Sequence, residues 1–241
     1  MNAPAQTHGM GIYPIRTAAR LAHLAPITVK RWADGYGYAY RGQSRRSPPI
    51  TYLAGHEPTE GERLLDFDQL LTLLLVKAFK DKGLGLPTIR KAAARASADY
   101  RLDNPFVSQQ FRSDGNHVFL DLEHTTGRER ELINVLSDQR EFRAIVEPSL
   151  FRDIVFLRDR PAEWWPLRQN HAVVLAPDRQ FGAPHVAGTG VRTDVLAQAV
   201  AAEGSNDMAE TAVAAWFGVT RNQVADAVYF EGPWQAMSMA A

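Results

Sequence analysis

Residues 15–32 of this chain read IRTAARLAHLAPITVKRW, and their spacing predicts two short helices joined by a tight turn. Pro26 suits the first turn of the second helix, because the N–H that proline lacks would be unpaired there. Ala19 is small enough for the two helices to cross closely. His23 tolerates the positive φ that a tight turn requires better than most bulky residues do. Trp32 falls on the face of the second helix that we expect to be buried.

The next segment, residues 36–52, is rich in Gly, Ser, Pro, Tyr and Arg and predicts a hairpin. Residues 36–40 and 50–52 alternate as two short strands would. Three arginines, Arg41, Arg45 and Arg46, are then expected at a basic tip between the strands. Asp66 follows as the N-cap of a helix over about residues 67–82.

This order of elements resembles the DNA-binding domain of MerR-like regulators over about residues 12–98. The run Thr28-Val29-Lys30-Arg31-Trp32 matches the recognition helix of that family, and Tyr52 with the arginines matches its wing. The resemblance implies a winged helix-turn-helix that inserts its second helix into the major groove. The expected base contacts come from Thr28, Lys30 and Arg31, and the expected phosphate contacts from Arg16, Arg20, Arg41, Arg45 and Arg46. No long apolar heptad run follows, so we expect a homodimer that forms through another region.

A second motif lies at residues 177–190, which read PDRQFGAPHVAGTG between a predicted strand and three predicted helices. The stretch 171–231 resembles the C-terminal domain of unknown function found in VapB-type antitoxins. In that family an Arg follows the Gly-Thr pair, whereas this chain has Gly190 there and Arg192 two residues on. The resemblance implies binding of a PIN-like ribonuclease toxin, with the candidate partner contacts Arg179, Phe181, Thr189, Arg192, Trp216 and Phe230.

Charge is distributed unevenly over the 241 residues, although 27 basic and 27 acidic side chains balance. Residues 16–46 hold seven cations and one anion, and residues 77–101 hold seven cations and two anions. Residues 203–231 hold five anions and one cation. A basic front and an acidic tail indicate two different partners, one of them a polyanion. The alternative is that both are ordinary solvated faces.

Several classes of protein are disfavoured by composition. The chain has no cysteine, so disulfides and thiolate metal sites are excluded. No apolar run approaches the ~20 residues that span a bilayer, and no secretory signal is visible, so we expect a soluble, cytoplasmic protein without membrane contact. His117 and His124 flank Asp121, but on a predicted strand at 117–122 they do not share a face. We therefore expect no metal, no cofactor and no enzymatic activity.

The predicted fold is mainly α with small β elements in three parts. These are a MerR-like winged helix-turn-helix at 12–100, a small α+β region with an ordered linker at 101–170, and a three-helix, helix-turn-helix-like domain at 171–231. The expected function is an antitoxin that neutralises its cognate PIN-like toxin and represses its own operon by binding duplex DNA. The alternatives are a stand-alone DNA-binding regulator and a protein- or RNA-interaction module that does not bind duplex DNA.

Overall fold

A computed structural model describes residues 11–50, 53, 63–120, 127–137, 142, 153–167 and 171–238. Within them the chain is mainly α-helical with small antiparallel sheets of two strands, as the sequence predicts. The chain divides into two compact units. The N-terminal unit comprises Tyr13–Arg152 and Phe156–Pro161, and the C-terminal unit comprises Met1–Ile12, Asp153–Val155 and Ala162–Ala241. Three separate domains with boundaries near residues 100 and 170 stay a prediction.

The N-terminal unit contains seven of the described helices and two small sheets. The helices are α1 (Ile15–Leu21), α2 (Pro26–Asp34), α3 (Phe67–Asp81), α4 (Leu86–Tyr100), α5 (Gln109–Asp114), α6 (Asn116–Leu120) and α7 (Arg128–Ser137). The strands are β1 (Tyr13–Pro14), which pairs with β4 (Leu64–Leu65), and β2 (Tyr36–Tyr40), which pairs with β3 (Gln43–Ser47).

The turn between α1 and α2 has the predicted form. His23 has a φ of 51°, and the N–H of Leu24 donates to the carbonyl of Ala19 over 2.9 Å. Pro26 stands in the first turn of α2, whose N-cap, Ala25, makes no side-chain hydrogen bond. Because no cap stabilises this helix end, α2 depends on burial of its apolar face, where Trp32 is almost wholly enclosed.

The predicted N-cap at Asp66 is also confirmed. Its side chain accepts a hydrogen bond from the N–H of Gln69 over 2.8 Å, and the Gln69 side chain accepts one from the N–H of Asp66 over 2.9 Å. This reciprocal pair is a capping box, which satisfies two backbone donors that would otherwise lack partners. It fixes the start of α3, the most apolar helix of the unit.

Phenylalanines form the centre of the N-terminal unit and explain one wrong prediction. Five side chains are fully or almost fully buried there: Phe79, Phe106, Phe111, Phe119 and Phe142. The centroids of rings that contact each other in this aromatic cluster lie between 4.9 and 6.1 Å apart. The predicted strand at 117–122 is wrong, because residues 116–120 form α6. In the helical form Phe119 packs in the aromatic cluster. The free energy gained by this burial outweighs the preference for a strand that the alternating pattern indicates.

The predicted hairpin exists, but its second strand is misplaced in the prediction. β2 pairs with β3, and the turn is the dipeptide Arg41-Gly42, where φ is 50° and 76°. Two positive φ values are typical of the type I′ turn that suits the twist of a two-residue hairpin. Arg45 and Arg46 therefore lie within a strand. Ile50 is buried and follows the hairpin, and residues 51 and 52 lie outside the described part.

The C-terminal unit combines short strands with three helices. In this unit β7 (Val173–Val174) pairs with β8 (His185–Val186). β5 (Ile154–Leu157) pairs with β6 (Arg160–Trp164), and residues Phe156–Pro161 of this hairpin belong to the N-terminal unit. The helices α8 (Thr193–Ala202), α9 (Asp207–Phe217) and α10 (Arg221–Ser238) confirm the three that were predicted, with α10 longer than expected. The segment 158–169 was predicted as a linker, and it contains β6 instead. The chain passes between the two units within this β5–β6 hairpin.

The helices and strands of the C-terminal unit enclose a small aliphatic core. It contains Val186, Leu196, Val200, Ala209, Val213, Ala214, Val224 and Ala227. Asp226 of α10 accepts hydrogen bonds from His171 and from the N–H of Ala172, each within 2.9 Å, and so ties the helix to the start of β7. No helix in the described ranges is long and apolar enough to cross a bilayer.

Candidate nucleic-acid interface

The helix pair exposes most of the side chains that were predicted to contact DNA. Arg16, Lys30 and Arg31 are exposed, and Arg20 and Thr28 are half-buried. The opposite face of α2 carries the buried Val29, Trp32 and Ala33. The predicted burial of Val29 and Trp32 and the predicted exposure of Lys30 and Arg31 are confirmed, whereas Thr28 is only half exposed.

Lys30 takes part in an ion pair that is local to α2. Its Nζ lies 2.8 Å from a carboxylate oxygen of Asp34, and the other oxygen of Asp34 lies 2.6 Å from Nε of Arg63. An exposed pair of this kind contributes at most about 1 kcal/mol. Lys30 can therefore exchange Asp34 for an external anion at small cost, while Arg63 keeps the carboxylate neutralised.

The register of the hairpin divides Arg45 and Arg46 between its two faces. Tyr38 lies opposite Arg45, and Gly37 lies opposite Arg46. Residues that face each other across an antiparallel pair share one side of the ribbon, and neighbours along a strand alternate. One face therefore carries Tyr36, Tyr38, Tyr40 and Arg45. The other carries Arg46 and small side chains.

The tyrosine face brings the hairpin and α2 together. The guanidinium of Arg31, from α2, lies over the Tyr36 ring at 5.5 Å from its centroid. The guanidinium groups of Arg41 and Arg45 both lie over the Tyr40 ring, at 5.5 and 5.0 Å. Sequence reasoning identified the three arginines and missed the tyrosines. Their spacing of two residues beside basic residues is the signal that could have revealed them.

Three residues, Gly35, Ile50 and Arg90, fix the position of the hairpin relative to α2 and α4. Gly35 has a φ of 73°, and a Cβ there would lie 2.6 Å from the carbonyl oxygen of Ser47, so only glycine fits. The N–H of Ile50 donates to the carbonyl of Trp32 over 2.8 Å. Arg90 of α4 donates to Oγ of Ser47 over 3.0 Å, to the carbonyl of Pro49 over 3.3 Å and to the carbonyl of Pro48.

In the C-terminal unit the predicted partner residues differ in accessibility. Arg179 is exposed, and Phe181 is 81% exposed in a left-handed turn where Gln180, Phe181 and Gly182 all have positive φ. Such a backbone is costly for a bulky residue, and an exposed aromatic side chain brings no burial in return. This conformation presents Phe181 to the surroundings.

Thr189 and Arg192 are used within the unit. The Thr189 hydroxyl donates to the carbonyl of Val186 and accepts from the N–H of Val191. Arg192 forms a two-point ion pair with Asp194, which raises the pKa of the guanidinium. Thr189 thus shapes the glycine-rich loop, whereas Arg192 is oriented by Asp194 and keeps a side chain that is 48% exposed.

The two aromatic candidates on the last helices have opposite environments. Trp216 is 60% exposed, whereas Phe230 is buried and belongs to the inside of the unit. Phe230 therefore cannot contact a partner in this conformation, and its predicted role is corrected. Tyr229, its neighbour, is 70% exposed. Within the described residues no group of three or more His, Cys, Asp or Glu side chains is placed to hold a metal ion.

Comparison with known proteins gives a fold relationship. No family model matches the chain, and no curated protein matches it. A solved structure that does match is the crystal structure of Rv2018 from Mycobacterium tuberculosis, with a TM-score of 0.68 and 24% sequence identity. The match covers 90% of this chain and 96% of that chain. The two proteins therefore share a fold over nearly their whole lengths.

Proposed function

We propose that this protein is an antitoxin of the VapB type, which binds duplex DNA at its own operator and neutralises a PIN-like ribonuclease toxin. In this proposal α1 and α2 form a MerR-like helix-turn-helix, and β2 and β3 form its wing. The observation that carries the DNA-binding half is the exposed arginine group on α2 and the hairpin, which the tyrosine face gathers into one surface.

Electrostatics supports duplex DNA as the ligand of this surface. The five predicted phosphate contacts would release counterions, and the logarithm of the binding constant should fall with the logarithm of salt concentration with a slope of about −4 to −5 per protomer. The exposure of Lys30 and Arg31 on α2, with the half-buried Thr28 beside them, supports these three side chains as the ones that contact base edges.

The toxin-binding half has two supports of different kinds. One is the resemblance of residues 171–231 to VapB-type antitoxins, whose three helices would correspond to α8, α9 and α10. The other is the exposed Phe181, held in a left-handed turn beside the exposed Arg179. Together they favour a protein partner that offers an apolar pocket with an acidic rim.

The experiment for the DNA half is a gel shift with the DNA upstream of the coding sequence, at 50 and 200 mM salt. We expect a shift that weakens strongly at the higher salt concentration. Equal affinity for single-stranded DNA or RNA would favour an interaction module, and a shift that salt does not affect would contradict the proposal.

The experiment for the toxin half is co-expression with the neighbouring reading frame. We expect a complex that survives gel filtration and that suppresses ribonuclease activity. The engagement of Thr189 and Arg192 within their own unit favours a stand-alone DNA-binding regulator as the second candidate. That candidate predicts the same gel shift and no complex.

A further inference from the structure

The hairpin carries tyrosines on β2 that DNA binding by cations alone does not require. Tyr36 lies beneath one guanidinium group and Tyr40 beneath two, and Tyr38 and Tyr40 are 42% and 46% exposed. We propose that Tyr36 and Tyr40 are positioning residues for duplex DNA: Tyr36 holds Arg31 toward a base edge, and Tyr40 holds Arg41 and Arg45 toward the phosphate backbone. This inference rests on the proposed DNA-binding function.

The spacing of the two rings is compatible with contacts at two places on a duplex. Tyr36 and Tyr40 are four residues apart on one strand, which corresponds to about 13 Å at the usual rise of an extended chain. Arg31 lies over the first ring, and Arg41 and Arg45 lie over the second. The two groups of cations are therefore far enough apart to contact a base edge and the phosphate backbone at the same time.

Stacking gives the tyrosines a physical means of raising affinity. An arginine side chain has several rotatable bonds, and it loses that freedom when its guanidinium is fixed on a phosphate. Contact with an aromatic face already restricts the guanidinium before the ligand arrives, and it leaves the N–H groups at the edge of the plane free to donate. The ring thereby lowers the entropic cost of binding without contacting the ligand.

The hairpin itself does not depend on the Tyr40 ring. Its turn is formed by Arg41 and Gly42, and its exit is fixed by Gly35 and by the contacts of Arg90. The ring of Tyr40 is nearly half exposed and so buries little apolar area. Replacing it is therefore expected to change the arginines more than the fold.

Tyr38 supplies a matched control on the same strand and the same face. Its ring lies 6.0 Å from that of Tyr36, and within the part of the chain that the structure describes no guanidinium lies over it. A Tyr38→Leu substitution removes an equally exposed tyrosine without removing a cation–π contact.

The test is fluorescence anisotropy with a labelled duplex of about 30 base pairs from the upstream DNA, measured over a range of salt concentrations. We expect Tyr40→Leu to weaken binding about tenfold, because two exposed cation–π contacts are lost, with an unchanged salt slope. Tyr40→Phe keeps the ring and should bind like the wild type. Arg45→Met should instead reduce the magnitude of the slope by about one, since a phosphate contact is lost.

Specific outcomes overturn the inference. If Tyr40→Phe binds as weakly as Tyr40→Leu, the hydroxyl contacts DNA and the ring does not position the arginines. If Tyr38→Leu is as weak as Tyr40→Leu, or if Tyr40→Leu binds like the wild type, stacking has no role. Failure of the wild type to bind any duplex instead refutes the proposed function.

A double substitution keeps the test decisive if Tyr40→Leu lowers stability. In a protein that already carries Arg41→Met and Arg45→Met, a ring that acts only through the two arginines has nothing left to position. Adding Tyr40→Leu should then leave the remaining affinity unchanged. A further tenfold loss in that background would show that the ring acts through folding, and the inference would be wrong.

Discussion

Arg90 offers the sharpest test of how the helical body orients the hairpin. Its guanidinium joins α4 to the exit of β3 through hydrogen bonds to Ser47, Pro48 and Pro49. Burial lowers the pKa of Arg90, but a guanidinium stays charged in proteins, so these are charge-assisted bonds. Arg90→Met removes every donor and keeps a stem of similar length.

The expected magnitude follows from the exposure of these bonds. Two of them are partly buried and one is exposed. A buried hydrogen bond to a charged group is worth about 1.5–3 kcal/mol, and solvent screening reduces this to about 1 kcal/mol for each partly buried bond. We expect Arg90→Met to favour opening of the hairpin by about 2 kcal/mol, which is about a thirtyfold rise in its opened population.

Amide hydrogen exchange of a peptide covering residues 36–50 measures this opening directly. Lys91→Met is the matched control, because it removes the same charge from the next position of α4, where the side chain is exposed. We expect faster exchange in the Arg90 variant alone, with α1 and α2 unaffected. Equal exchange in the two variants would refute the reasoning that Arg90 anchors the hairpin.

Three further predictions concern stability and partner binding. Burial, and next the neighbouring Asp66, raise the pKa of Asp68 from 3.8 to about 6. Its protonated form therefore stabilises the folded state fully below pH 3.8, and this contribution is lost as pH rises through about 6. In urea unfolding, Asp68→Asn should raise the free energy of unfolding at pH 7.5 by at most about 3 kcal/mol, and should not raise it at pH 3.5. Thr193→Val removes the 2.6 Å hydrogen bond to buried Glu231 and should lower the free energy of urea unfolding by about 1–3 kcal/mol. Thr211 is exposed, and Thr211→Val should leave that free energy almost unchanged. Phe181→Asn relieves the strain of the left-handed backbone and should raise the free energy of unfolding by about 1 kcal/mol. The same substitution should weaken the toxin complex in a pull-down. A lower free energy of unfolding would mean that the Phe181 ring packs within its own unit.

The sequence-based predictions are confirmed where the structure depends on interactions between residues close together in the chain. Asp66 could be recognised as a cap because its bonding partner is three residues away, and His23 as a turn residue because its φ preference is intrinsic. The three helices of the C-terminal unit were also predicted from the sequence and are present. Each of these features depends on residues within one or two helical turns.

The sequence-based predictions were wrong where packing against residues distant in the chain determines the local structure. Residues 117–120 alternate like a strand and form a helix, because buried phenylalanines far along the chain accept Phe119 in that form. Phe230 and Tyr229 are adjacent aromatic residues in one helix, and only packing of that helix separates the buried one from the exposed one.

The candidate DNA surface shows the same division between local and distant causes. The sequence by itself determined which cations are present, that α2 has one apolar and one charged face, and that a hairpin follows it. Only the tertiary structure decided which arginines share a face. A two-residue turn at Arg41-Gly42 sets the strand register, and side chains alternate along a strand, so Arg45 joins the tyrosines and Arg46 does not.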